Sequence, residues 1–240
     1  MNIAAVIPSR YQSSRFPGKP LAKIAGRTMI ERVYRQVAKA GCFAAIVVAT
    51  DDERIFNEVV RFGGKAEMTD RAIQSGSERV WAVVEKKAYD AAVNIQGDEP
   101  LISENLIREI HQALGKRNIV SAARRSDSFR DFCSRNIVKV VCDNKKQALY
   151  FSRAPIPFCD KESFNGFFQH IGIYGYSREM LQKFVGAGMS HLEKSENLEQ
   201  IRFLFLGEKI QIIETDYVSH GVDIPYDIGK IEKILREQHA

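Results

Sequence analysis

Cysteine is scarce and unpatterned. The chain has four, Cys42, Cys133, Cys142 and Cys159, with no C-x-x-C pair and no metal-ligand spacing. That argues against a disulfide framework or a zinc site and fits reduced thiols in a cytoplasmic protein. The five histidines show no H-x-x-x-H, and no G-x-S-x-G occurs. A zinc hydrolase or a serine hydrolase is therefore unsupported. G-x-x-x-x-G-K-[ST] and G-x-G-x-x-G are missing too, which removes the Walker A loop and the dinucleotide fingerprint. No apolar run reaches the roughly 18 residues of a membrane span. The opening "MNIAAVIPSRYQ" has no basic n-region, so neither membrane insertion nor a signal peptide is expected. There is no low-complexity linker, no internal repeat and no Arg/Lys-rich tail. Aromatic and basic residues do not interleave as in an RNA-binding sheet. The net charge of +5 thus reads as a solvated basic surface, and no nucleic-acid partner is expected.

What is present is a chain of 240 residues, 45% hydrophobic and 27% charged, ordinary for a globular protein. Its first half alternates strand and helix patterns. "NIAAVI" (2–7) is short and apolar and is followed by Pro8, which predicts a buried strand. Residues 28–41 predict a helix, with Thr28 and Glu31 as a capping box and Gly41 as its stop. Strands are expected at 44–50, at "KAEMT" and at 91–96. Helices are expected after Asp51 or Asp52, from Ser77 to about Ala88, and from Ser103 to Gly115. This alternation predicts an α/β fold, a mainly parallel twisted sheet flanked by helices, with ligands at the carboxyl ends of its strands. After Gly115 strands dominate: "NIVSAARR", "NIVKVVCD", "ALYFSR" and "FQHIGIYGY". They predict a smaller antiparallel element at about 120–180, within a single domain spanning 1–240. Helices return at 178–185 and 195–206, then a strand at 209–215 and a helix from Pro225.

Four segments carry chemistry. "IPSRYQSSRFPGKP" (7–20) places Arg10, Arg15 and Lys19 after the first strand, beside Gly18. Grouped cations repel unless they face water or hold an anion such as a triphosphate. Glycine would let the backbone approach an oxygen closely. A solvated basic loop explains the same residues equally well. "NIQGDEP" (94–100) exposes Asp98 and Glu99 at a strand end, where a carboxylate suits Mg²⁺ or simply a turn. "GVDIPYD" (221–227) offers Asp223, either a helix cap or a second metal ligand. "QSGSER" (74–79) sets small donors at a helix start, able to receive a base, sugar or phosphate or merely to cap the helix.

Together these segments resemble the CMP-Kdo synthetases, the 3-deoxy-manno-octulosonate cytidylyltransferases. The markers run nearly end to end: "IPSRYQSSRFPGKPL", "VATDDERI", "QSGSERV", "VNIQGDEPLI", "VKVVCD", "ALYFSRAPIPF", "HIGIYGY", "ENLEQIR" and "GVDIPYD". The resemblance implies a Rossmann-like nucleotidyltransferase fold. It implies a reaction in which CTP and Kdo give CMP-Kdo and pyrophosphate with Mg²⁺, for lipopolysaccharide biosynthesis, in a cytoplasmic homodimer. It implies that Arg10, Lys19, Asp98 and Asp223 carry the catalysis, with Asp98 and Asp223 as the metal ligands. Arg10, Arg15, Lys19, Arg71, Gln74, Ser75 and Gly76 would bind the nucleotide. Gln96, Arg153, His170, Tyr174, Glu199 and Gln200 would form the sugar pocket, with Arg153 on the sugar carboxylate. Two departures stand out: Ser77 replaces the usual Thr, and segment 126–136 is short and carries Cys133. "SGSER" and "GDEP" favour Kdo over an 8-amino sugar. Another acidic sugar and a non-catalytic nucleotide-binding regulator are the alternative readings.

Overall fold

The computed structural model describes residues 1–12 and 15–237. Positions 13 and 14, inside the predicted 8–19 phosphate loop, lie outside the described residues, as do 238–240. In chain order, β1 (Ile3–Ser9) leads through a 3-10 turn (Lys19–Leu21) to a ribbon of β2 (Lys23–Ile24) and β3 (Arg27–Thr28). Then come α1 (Met29–Ala40), β4 (Ala45–Thr50), α2 (Glu53–Arg61), β5 (Ala66–Met68), α3 (Gly76–Val84), β6 (Ala91–Asn94) and α4 (Glu104–Leu114). The second half holds β7 (Ile119–Ser126), α5 (Phe129–Cys133), β8 (Lys139–Cys142), β9 (Ala148–Ser152) and β10 (Phe167–Ser177). It closes with α6 (Arg178–Gly186), α7 (His191–Glu196), α8 (Ile201–Phe205), β11 (Gln211–Glu214) and α9 (Tyr226–Glu237).

The main sheet runs β11-β7-β10-β6-β1-β4-β5. Along this path only β10 is reversed: it pairs antiparallel with both β6 and β7, whereas the other neighbours are parallel. The β8–β9 hairpin hangs on β10. The strand-rich second half is therefore continuous with the parallel half through one hydrogen-bonded sheet.

Strand β1 shows why both faces need helices. Ala4 and Val6 join one apolar cluster, with Val80 and Val83 of α3, Phe184 of α6 and Phe203 of α8. Ile3, Ala5 and Ile7 point the other way, into a cluster with Val33 and Val37 of α1, Ile55 of α2 and Ile107 of α4. The period of two splits the strand between two cores. Burying each Val or Ile contributes roughly 1.5–3 kcal/mol against unfolded chain.

Local details differ from the sequence reading at four places. Helix α3 opens at Ser75, not Ser77: the Ser75 hydroxyl accepts from Glu78 N at 3.2 Å. Ser77 is instead the second helical residue and is buried. The expected helix at 195–206 is two helices, because Asn197 turns left-handed at φ 53°. Five aromatics of the 120–180 stretch look exposed in sequence, Phe151, Phe158, Phe164, Phe167 and Phe168, yet Phe151 and Phe167 are buried, and Phe164 packs on Phe132 and Phe129. Phe158 alone among the five stays open, 93% exposed. The capping box of α1 is half of one: Thr28 accepts from Glu31 N, while the Glu31 carboxylate takes Arg35 Nε at 2.8 Å. Among the described residues no helix is long and apolar enough to cross a membrane.

Candidate active site

Strand register brings three loops to one rim. Ser9 ends β1 opposite Thr50 of β4, and Val6 of β1 lies opposite Asn94, the last residue of β6. Arg10–Lys19, Asp51 and Gln96–Asp98 follow directly from these ends. The chain after β5 adds the N-terminus of α3. Gly97 permits the closest approach: a Cβ there would lie 2.7 Å from Ser9 Oγ and 3.0 Å from Pro8 O. A cavity of about 410 Å³ opens between them, lined by Ser9, Arg10, Arg15, Lys19, Gln96 and Asp98 on one side and by Gln74, Ser75 and Gly76 on the other.

Each cation of the 8–19 loop meets an acid of another loop. Arg10 Nε lies 3.4 Å from Asp51 Oδ2. Arg15 grips Asp223 with two nitrogens, at 2.9 and 3.2 Å. Lys19 Nζ donates to Asp98 Oδ2 at 2.6 Å and to Val222 O at 2.9 Å, and stands 3.9 Å from Asp223 Oδ1. Asp98 and Asp223, 125 positions apart in the chain, thus converge on one ammonium. Gly18 has a different task from the expected one: at φ 72° it turns the loop back, and its N–H goes to Tyr11 O at 2.9 Å. Asp223 does not cap the last helix. Its carboxylate is taken by Arg15, while Asp227, inside the helix, reaches back to accept from Asp223 N and Ile224 N.

Two acids differ from their sequence reading, which made Asp51 a possible helix cap and Glu99 an exposed acid beside Asp98. Asp51 holds both Arg10 and Arg79, whose fully buried guanidinium also donates to Thr69 and Ile73 O. Burial lowers the proton affinity of Arg79, and Asp51 opposes that shift. "VATDDERI" contained Asp51, but helix capping explained it fully. Glu99 faces away from the cations into the loop at 217–220. Burial, with the Asp98 charge next to it, pushes its carboxyl above the usual range.

Of the residues predicted for the sugar, Gln96 lines the rim cavity and Glu199 touches its α3 side, while His170 and Tyr174 lie on β10 and Arg153 directly follows β9. Glu199 reaches the start of α3, accepting from Ser75 Oγ at 2.9 Å and from Gly76 N and Ser77 N, both at 3.1 Å. A carboxylate at a helix N-terminus satisfies orphan N–H groups and the helix dipole. Tyr174 stacks on Tyr176, whose hydroxyl lies 3.3 Å from Ser77 Oγ. A bulge between Ile171 and Tyr174 breaks the β10 register, and Gly172 there lies close to Gln96. His170 Nε2 sits 2.9 Å from Ser121 Oγ, which itself donates to Ile173 O. The histidine therefore carries its proton on Nε2 and keeps Nδ1 as an acceptor. Enclosed by Phe151 and Tyr174, it is held neutral, its pKa lowered by burial to about 3. Arg153 donates Nε to Glu196 O at 2.9 Å and Nη1 to Arg135 O at 3.1 Å. Arg71 lines an adjoining cavity of about 690 Å³ that shares Arg10 and Asp51 with the rim, and its Nε donates to Asp51 O at 3.3 Å.

Buried polar atoms without partners mark the same region. Ser9 Oγ, Asn94 Oδ1 and Gln200 Nε2 have no hydrogen bond, and Arg10 Nε has only its long ion pair to Asp51. Elsewhere among the described residues Gln211 Oε1 alone lacks a hydrogen bond in this way. An unsatisfied buried donor or acceptor costs roughly 1–3 kcal/mol. Three such atoms in one region are the pattern of a site shaped for a polar ligand.

Comparison with known proteins agrees with this geometry. A family model described as cytidylyltransferase matches residues 4–210. The 3-deoxy-manno-octulosonate cytidylyltransferase of Geotalea daltonii is 43% identical over 99% of this chain and 100% of its own length. That of Syntrophotalea carbinolica is 44% identical over 98% and 99%. A solved structure of CMP:2-keto-3-deoxy-manno-octonic acid synthetase complexed with CTP superposes with a TM-score of 0.94 at 35% identity, covering 99% of this chain and all of that one. On sequence, fold and length together, the chain belongs to the cytidylyltransferase family, among the 3-deoxy-manno-octulosonate cytidylyltransferases.

Proposed function

We propose that this enzyme transfers the cytidylyl group of CTP to Kdo, releasing pyrophosphate. The observation that carries the reading is the meeting of Asp98 and Asp223 on the Lys19 ammonium, with Arg15 alongside, at the mouth of a strand-end cavity. In this reading the 8–19 cations exchange their carboxylate partners for phosphate oxygens when CTP binds. Charge-assisted contacts of this kind are the strong ones. Ser75, Gly76 and Gln74 meet the nucleotide from the α3 side. Arg71 meets it from the neighbouring cavity.

The two carboxylates fit a divalent cation, and we take it to be Mg²⁺. They come from separate loops and already hold a positive charge between them, as hard oxygen ligands do for a metal that shares its shell with phosphate. When bound there, it would orient phosphate oxygens and offset charge on the leaving pyrophosphate.

Kdo lies in this account with its carboxylate on Arg153, whose Nη1 and Nη2 each keep a second N–H beyond their carbonyl contacts. Gln96, His170, Tyr174, Glu199 and Gln200 bond its hydroxyls. Neutral His170 serves as a hydrogen-bond partner and not as an ion. The sugar's anomeric 2-hydroxyl attacks the α-phosphorus in line, its proton passes to solvent, and the bond to pyrophosphate breaks. No side chain forms a covalent intermediate. Positioning and fixed charge supply the acceleration.

We read residues 1–240 as one domain, with 120–180 as its sugar-binding and dimer-forming part, and the protein as a cytoplasmic homodimer serving lipopolysaccharide biosynthesis. The direct test is to mix the purified protein with CTP, Mg²⁺ and a panel of acidic sugars, and to read pyrophosphate and the CMP-sugar formed. Kdo should give the fastest turnover. A panel on which no sugar consumes CTP overturns the reading. Preference for an amino sugar moves the enzyme to the neighbouring specificity.

A further inference from the structure

Glu99 follows the proposed metal ligand Asp98, yet its side chain turns away from the cavity. Its backbone is fixed in the turn after β6: Glu99 N donates to Gln96 O, and Ile102 N donates to Glu99 O. Its carboxylate reaches across to the strap that leads from β11 to Asp223. Oε2 accepts from Tyr217 Oη at 3.0 Å and from His220 N at 3.2 Å, and Oε1 accepts from Ser219 Oγ. Among the described residues no lysine, arginine or histidine side chain pairs with it within 4.0 Å. A half-buried carboxylate without a cation is costly unless several donors satisfy it, and here all three come from one segment.

The next residues of that segment are the ones that matter for charge. Val222 N donates to Asp98 O at 3.0 Å, and Val222 O receives Lys19 Nζ. The Val222 side chain is fully buried with Ile24, Met29 and Ile231. Asp223 comes directly after. The strap is thus held at two points, by Glu99 at 217–220 and by Val222 just before Asp223. A side chain used only to fill space there needs no charge, and one used as a metal ligand would face Lys19. Glu99 does neither.

We infer that Glu99 is a positioning residue: its carboxylate clamps residues 217–220 so that Asp223 stays opposite Asp98 across the Lys19 ammonium. The inference rests on the cytidylyltransferase reading and deepens it. Because Val222 keeps its apolar anchor, removing Glu99 should loosen the strap and leave the fold standing.

Three variants of the full chain test it. Glu99→Ala strands three donors, so the Mg²⁺ concentration for half-maximal rate should rise about five- to hundredfold, the factor that an unsatisfied buried group implies. Binding of CTP without divalent metal, read by calorimetry, should change by less than about threefold, since the 8–19 loop is untouched. Amide exchange at 217–223 should quicken in the same variant. Glu99→Gln should recover most of the activity: its carbonyl can take Tyr217 and His220 N, and its amide can donate to Ser219 Oγ. Tyr217→Phe should weaken the metal response in wild type and add nothing in Glu99→Ala. Loss in Glu99→Gln equal to that in Glu99→Ala would show that the charge itself acts, and would overturn the positioning role. So would wild-type metal dependence or unchanged exchange in Glu99→Ala. Should Glu99→Ala fail to fold, Tyr217→Phe and Ser219→Ala decide the question by the same readouts. Absence of any sugar-dependent turnover in wild type would instead refute the function, whereas calorimetry and exchange still judge the clamp.

Discussion

At the scale of single residues, the site is a set of exchanged partners. Lys19 neutralises Asp98 and leans on Asp223. Asp98→Ala and Asp223→Ala should each abolish turnover with little change in thermal midpoint, and added Mg²⁺ should rescue them only in part. Near-normal kcat in either variant removes that residue from the metal site. Lys19→Ala should weaken CTP about ten- to hundredfold but CMP far less, because a loop lysine meets the outer phosphates; a charged contact is worth about 1.5–3 kcal/mol. Competition binding with both nucleotides reads this, and equal losses would place Lys19 away from the β- and γ-phosphates. His170 makes a pH prediction. Its folded pKa of about 3 lies below its ordinary value of about 6.5. Between those values the unfolded chain binds the proton and the native one does not. Its contribution to stability is thus full above about pH 6.5 and falls as pH drops towards 3. Thermal midpoints of wild type and His170→Gln, followed from pH 7.5 to 5, should converge or cross as pH falls. A constant gap would place His170 in contact with water.

At the scale of elements, caps and breaks decide where chemistry can sit. "QSGSER" offered two serines, and both can cap. The sequence reading started the helix at Ser77, but Ser75 is the cap, in Ser-x-x-Glu spacing with Glu78. Ser75→Ala should therefore cost about 0.5–2 kcal/mol in urea unfolding, the ordinary worth of an N-cap. Its loss includes the hydroxyl that Glu199 accepts. Ser77→Ala should leave the cap intact. If Ser77→Ala costs more than Ser75→Ala, the hydroxyl contact with Tyr176 outweighs the cap. The break at Asn197 is similar in kind. It separates α7 from α8 and lets Glu196 hold Arg153 while Glu199 turns to α3. One straight helix would hold those two side chains on one face, about 60° apart around its axis and one turn from each other. The left-handed turn frees them from that constraint.

At the scale of the whole molecule, one reversed strand joins the parallel half to a strand-rich half. Because β10 lies inside the sheet, Tyr174 can neighbour both Asn94 and Ser121, and the residues proposed for the sugar lie near the rim proposed for the nucleotide. The predicted dimer now rests on less surface than the sequence suggested, since Phe151 and Phe167 fill the chain's own core. What remains open on that side is Phe158, together with Leu149 at 62% exposure. We still expect a dimer through this region, as the commonest closed assembly. Sedimentation at micromolar concentration should show twice the chain mass, and a single species near 27.2 kDa would exclude it. Phe158→Ser should shift the balance towards monomer without reducing the stability of the core.

The sequence by itself determined what short-range physics controls. Apolar alternation set the strands, Thr28, Asp52 and Ser103 started helices, and Gly41 ended one. The order of motifs pointed to the family because residues that serve one chemistry keep their local context. Tertiary structure decided the pairings. No spacing rule connects Lys19 to Asp98 and Asp223, Glu199 to Ser75, or Asp51 to Arg79, since each pair spans loops whose separation depends on strand order. Burial was equally hidden. Phe151 and Phe158 stand seven positions apart, and β8–β9 pairing covers one and leaves the other in water. Glu99 shows the limit most clearly: beside Asp98 it reads as a second acid of the same site. Only the fold shows that the turn after β6 sends it the other way, to Tyr217, Ser219 and the His220 amide.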